Sequence, residues 1–173
     1  MKATLEIINQ MQADGVIGRY AIGGAVGATF YLEPVATLDI DVFISFQKQS
    51  AGVLVSLSPI YDYLSARGHK IEKEYIVIEG WPVQFLPPGD VLVEEALADA
   101  IETKVEGVPV RVMTAEHLAA IALQVGRAKD HARILQFIES GGLDADKLDA
   151  ILQRHELVAK WERFGDKFLK GNS

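Results

Sequence analysis

The 173-residue chain, 49% apolar and 24% charged, is long enough to bury one core and too short for two full domains, and its composition excludes a disordered protein. It contains no cysteine, so disulfides, thiolate nucleophiles, zinc knuckles and iron–sulfur sites are excluded. The net charge of -7 arises entirely in residues 1–100, which hold 13 acidic and 6 basic side chains against 11 of each in residues 101–173, so a long basic footprint is missing and nucleic acid is not an expected partner.

Leu5, Ile8 and Met11 recur at helical spacing before Gly15, which predicts an amphipathic first helix. That start lacks the basic head and apolar centre of a signal peptide, and no apolar run reaches 18 residues, so no membrane association and a cytoplasmic location are expected. Arg19 to Ile22 reads as a short strand, and Gly23-Gly24 opens a helix from Ala25 to about Leu32, which Glu33-Pro34 should end. Leu38 to Ile44 alternates strictly, with Leu38, Ile40, Val42 and Ile44 on one face and Asp39, Asp41 and Phe43 on the other. Ser58-Pro59 starts a further helix that Gly68 closes. Glu74 to Ile78 and Pro82 to Leu86 flank Glu79-Gly80 as a hairpin, and Asp90 caps a helix to about Ala100. Val108, Val110 and Val112 share one face of a strand paired with the run before Glu106-Gly107, for a sheet of five or six strands. From Thr114 onward every apolar pattern is helical, ending in Trp161, Phe164 and Phe168 as expected core residues. The division expected is therefore a mixed core over residues 1–113 and a helical region over 114–173 packed on it.

The chemistry concentrates on two short stretches. Asp39 and Asp41 are two apart on one strand, so their carboxylates point the same way and can pinch one cation; oxygen-only ligands suit magnesium or manganese, which share carboxylates with nucleotide phosphates. The Gly23-Gly24 turn lets backbone approach a phosphate, and the helix after it presents free N–H groups. Arg127, Lys129 and Arg133 admit two readings: a solvated helix face paired with Asp130, or a clamp on the phosphates. His69, His117, His131 and His155 lack metal-ligand spacing and are expected at the surface or at helix caps. Gly23-Gly24-x-x-Gly27 also suggests a dinucleotide-binding turn, but the helix after it is too short for that unit.

Gly23-Gly24, fourteen further residues and then Asp39-Ile40-Asp41-Val42 resemble the signature of the nucleotidyltransferase superfamily, which includes antibiotic nucleotidyltransferases and the abortive-infection toxin type. Thr37, two residues before Asp39, matches the small members of that group, and Gly126-Arg127-Ala128-Lys129-Asp130 is similar to their helical "AgRxKD" stretch. The resemblance covers roughly residues 19–138. It implies an α+β fold with a nucleotidyltransferase-like mixed β-sheet core flanked by helices and a C-terminal helical layer. It also implies Asp39 and Asp41 as catalytic metal ligands for magnesium or manganese, with Gly23, Gly24, Thr37, Arg127 and Lys129 around a nucleotide triphosphate.

One position departs from the pattern. Where the family carries a third acid on a neighbouring strand, this chain has Gln84, which can orient a ligand but can neither take a proton nor share a dication's charge. Ala122 likewise stands where many relatives carry a lysine. Two functions follow as expectations: metal-dependent transfer of a nucleoside monophosphate from a nucleotide triphosphate to a hydroxyl of a small molecule or protein, or a degenerate, antitoxin-like member that binds a nucleotide or a partner protein without chemistry.

Overall fold

The structure is a computed structural model and describes residues 1–33, 39–46 and 56–171. One seven-stranded mixed sheet organises them, in the order β3-β4-β5-β2-β1-β7-β6: β1 is Tyr20–Ile22, β2 Ile40–Ile44, β3 Lys70–Glu72, β4 Tyr75–Ile78, β5 Trp81–Leu86, β6 Ile101–Val105 and β7 Val108–Val112. The pairs β2–β5 and β1–β7 are parallel and all other neighbours are antiparallel. β1 lies directly beside β2 and antiparallel to it, which excludes the parallel crossover that a dinucleotide-binding unit requires.

Strand alternation fixes what each side of the sheet meets. Ile40, Val42 and Ile44 of β2 are buried in one cluster with Leu5, Ile8 and Met11 of α1 (Lys2–Ala13) and with Ile60 and Leu64 of α3 (Ser58–Ser65). Asp41 and Phe43 therefore point to the opposite side. There Phe43 packs against a second cluster built by α4 (Val91–Ala98), α5 (Ala115–Val125), α6 (Ala128–Ser140), α7 (Ala145–Arg154) and α8 (Val158–Phe168). No described helix is long and apolar enough to cross a membrane.

Two expectations about the sheet and its helices need correction. Among the described residues the sheet has seven strands, one more than expected: β3, whose three residues are all exposed, carries no burial pattern to mark it, and its backbone ladder to β4 makes it a strand. The helix after Gly23 is α2, Gly24–Ala28, shorter than the expected stretch to Leu32. Thr29 Oγ1 donates to the Val26 carbonyl, and the amides of Thr29, Phe30 and Tyr31 turn back to carbonyls three residues earlier, which tightens the chain out of the α-helix.

One histidine differs from expectation. His117 is buried, at 3% exposure, and His155, which does cap α7, is held beside it. Both converge on Glu95 of α4: His117 Nε2 lies 3.0 Å and His155 Nε2 2.8 Å from its two oxygens, and Arg154 Nη2 donates to it at 2.6 Å. The Arg154 hydrogen bond, opposed by burial and helped by both histidines, holds the Glu95 carboxyl down at about 2. Asp99 brings a further ligand-type oxygen within 4.8 Å of Glu95 and His117, but the donors above already engage both Glu95 oxygens, so the group ties α4, α5 and α7 together.

Glu95→Ala is expected to lower stability by about 1 to 3 kcal/mol, because it leaves buried donors without an acceptor. Thermal melts at neutral pH measure this, at about 2 to 4 °C for each kcal/mol in a chain of this size. The folded carboxyl titrates below its ordinary value of 4.5, so its contribution is present above that pH and is lost as pH falls towards about 2. The gap between wild type and variant should close across that window. Of the aromatic residues expected in the core, Phe164 is buried at 4%, while Trp161 and Phe168 are half-buried around it.

Candidate functional site

The face of the sheet that carries Asp41 opens into a cavity of about 320 Å³ under α5 and α6. Asp39, Asp41, Gly24, Gln84, Arg127 and Lys129 all line it. Gly23 caps α2 immediately beside Gly24, and Thr37 lies outside the described residues.

Strand register brings Asp41 and Gln84 to the cavity, and Asp39 immediately precedes β2. Asp41 of β2 pairs with Gln84 of the parallel strand β5, so the two side chains stand next to each other on one face, roughly one strand spacing of 4.8 Å apart. Burial first, and then the neighbouring Asp39, push the Asp41 carboxyl above its ordinary range; Arg133, Lys129 and Arg127 pull the other way without overcoming them. Oxygen-only donors of this kind suit magnesium or manganese, and Asp39 and Asp41 are the residues that would hold such a cation.

The two glycines do different work. Gly24 has φ +57, and a Cβ there would run into the Asp41 carboxylate, so only glycine lets that carboxylate fold against the start of α2. Gly23 is extended, and its added Cβ would sit 2.6 Å from Phe43 Cε2, which makes it a packing glycine. Its N–H donates to the Asp41 carbonyl at 3.0 Å, so that amide is already engaged. The amides of Gly24, Ala25 and Val26, at the helix start, have no intrahelical acceptor.

The basic wall comes from the first turns of α6. Asp130, 2% exposed, accepts from Arg127 Nε at 2.7 Å and from the Arg127 backbone N–H at 3.1 Å, and Arg133 Nη1 stands 3.8 Å away. Burial alone would raise the Asp130 carboxyl, but these Arg127 hydrogen bonds and the Arg133 charge hold it below the usual range. The pairing with Asp130 and the cavity position thus coexist: Asp130 orients Arg127 and Arg133, and both line the cavity beside Lys129. Leu118, Ile121, Ala122 and Val125 of α5 close the remaining wall with apolar surface. Sequence reasoning missed Tyr75, which also lines the cavity. Its position follows from a strand register that periodicity does not reveal.

No family model matches the chain, and no curated protein matches it. Solved structures do. The antibiotic-resistance factor ANT(2'')-Ia in solution aligns with a TM-score of 0.53 at 16% identity, covering 96% of this chain and 97% of that one. Its crystal structure with adenylyl-2''-tobramycin aligns at 0.51 and 15% identity, over 92% and 98% of the two chains. An antigenic nucleotidyltransferase-like protein from Paracoccidioides brasiliensis aligns at 0.53 and 12% identity, over 93% and 91%. The α+β architecture described above, a mixed sheet with a C-terminal helical layer, is that of nucleotidyltransferases.

Proposed function

We propose that this chain, having the nucleotidyltransferase fold, transfers a nucleoside monophosphate from a nucleotide triphosphate to a hydroxyl of a small molecule or protein, with magnesium or manganese held by Asp39 and Asp41. The observation that carries this reading is one cavity in which a close carboxylate pair faces Arg127, Lys129 and Arg133. When bound, the cation supplies charge withdrawal from the α-phosphate. The chain's own groups do the rest. The basic side chains of α6 attract and orient the outer phosphates, with Asp130 fixing Arg127 and Arg133 in place. The α5 wall keeps bulk water from the reacting group and so strengthens those charge interactions.

Gln84 supports the second reading. Beside Asp41, where a third carboxylate would take the acceptor proton, the chain has an amide with no basic lone pair for it. A site that binds nucleotide and metal without turnover, in a binding module, is consistent with that substitution. The test is transfer of label from α-labelled nucleotide triphosphates, with magnesium and manganese, into metabolite and protein extracts. Label that appears in an acceptor and requires the metal supports the enzyme; metal-dependent nucleotide binding with no transfer to any acceptor supports the binding module.

A further inference from the structure

Tyr75 carries the one hydroxyl among the described residues that line the cavity. Its place follows from the sheet. The antiparallel register that pairs Ile76 with Val83 sets Tyr75 beside Gln84, and Gln84 stands beside Asp41 in the parallel register of β2 and β5. Asp41, Gln84 and Tyr75 therefore form a row across one face, with β4 about 10 Å from β2 by strand spacing.

The row also has a direction. In the order β4-β5-β2-β1, the Gly23-Gly24 turn that follows β1 lies on one side of the aspartates, and Tyr75 lies on the other. Nucleotide transfer is an in-line displacement, in which the attacking and leaving oxygens occupy opposite sides of the phosphorus. With the outer phosphates drawn to the basic start of α6, an attacking hydroxyl can approach from the Gln84 and Tyr75 side.

We propose that Tyr75 is itself an acceptor, so that the protein nucleotidylates its own Tyr75 hydroxyl. This rests on the nucleotide-transfer reading and names an acceptor for it. Tyr75 Oη forms a bond to the α-phosphorus, the bond from that phosphorus to the oxygen bridging the β-phosphate breaks, and pyrophosphate leaves with the electron pair. The phenol proton passes to solvent or to the pyrophosphate. The product places a nucleoside monophosphate on the acceptor rim, where it blocks further acceptors.

The purified full-length chain, incubated with each of the four common α-labelled nucleotide triphosphates and with magnesium or manganese, tests this by peptide mapping in a mass spectrometer. The expected result is one nucleoside monophosphate on Tyr75, added at a rate per molecule that does not change with protein concentration, and no labelling of Tyr75→Phe. Label on another residue, label that persists in Tyr75→Phe, a rate that scales with protein concentration, or no label would each overturn it. Calorimetry on the same wild-type sample separates the two claims. Metal-dependent nucleotide binding without label on Tyr75 removes this proposal and leaves the nucleotide-transfer reading, whereas no nucleotide binding removes both. The wild-type map decides the matter even if the variant folds poorly.

Discussion

Gln84→Asp is expected to raise the rate of nucleotide transfer at least about tenfold at saturating magnesium or manganese, equivalent to about 1.4 kcal/mol off the barrier. The register places residue 84 beside Asp41 on the cavity face, so the new carboxylate would stand where it can share the cation's charge and take the acceptor proton. General-base assistance of this kind is typically worth about 100-fold to 10,000-fold, and tenfold allows for imperfect geometry. The gain has a cost in the metal-free protein. Burial and Asp39 already push the Asp41 carboxyl up, and a third carboxylate adds to that repulsion, so the variant's melting midpoint should fall without metal and recover with it. Initial rates measured beside thermal melts test both halves. A wild type that already transfers nucleotide well, together with a variant that is no faster, would show that residue 84 is not the vacant acidic position.

Replacing Asp39 and Asp41 together by asparagine is expected to abolish any effect of the divalent cation on nucleotide binding and on stability. Asp41 is the residue for which the sign can be worked out. Its folded-state carboxyl titrates above the ordinary value of 3.8, so the charged form is disfavoured by the fold; the penalty is absent at lower pH, where the group is protonated, and grows as pH rises through its titration. At neutral pH the metal-free double variant should therefore melt no lower than the wild type, even though it has lost attractions to Arg133, Lys129 and Arg127. Adding magnesium or manganese should raise the midpoint of the wild type alone, since a ligand stabilises only the protein that binds it. Melts with and without metal check this. A double variant that unfolds well below the wild type without metal would mean that the two carboxylates support the fold rather than strain it.

The local chemistry of the candidate site was legible because it lies in two short stretches whose periodicity is strict. The alternation in Asp39 to Ile44 separated the two faces of β2, and the structure buries Ile40, Val42 and Ile44 against one core while Asp41 faces the other layer. What escaped was set by partners distant in sequence. Glu95 meets its two histidines across 22 and 60 residues, and no spacing rule marks them, so His117 was assigned to the surface or a helix cap although it is buried. Tyr75 reaches the cavity only through two successive strand pairings, and β3 exists only through its backbone ladder to β4. That a Cβ at Gly24 would meet the Asp41 carboxylate is likewise visible only when the two strands are aligned.

Calorimetric titration of a nucleotide triphosphate into the metal-stripped chain, with and without added magnesium or manganese, tests the central claim most directly, with the Asp39→Asn, Asp41→Asn double variant alongside. Because a dication held by the paired carboxylates would offset their charge towards the phosphates, nucleotide affinity in the wild type should rise with metal and the double variant should show no such rise. Equal nucleotide affinity with and without metal in the wild type, or an undiminished metal effect in the double variant, would contradict the assignment of Asp39 and Asp41 as the metal-binding pair.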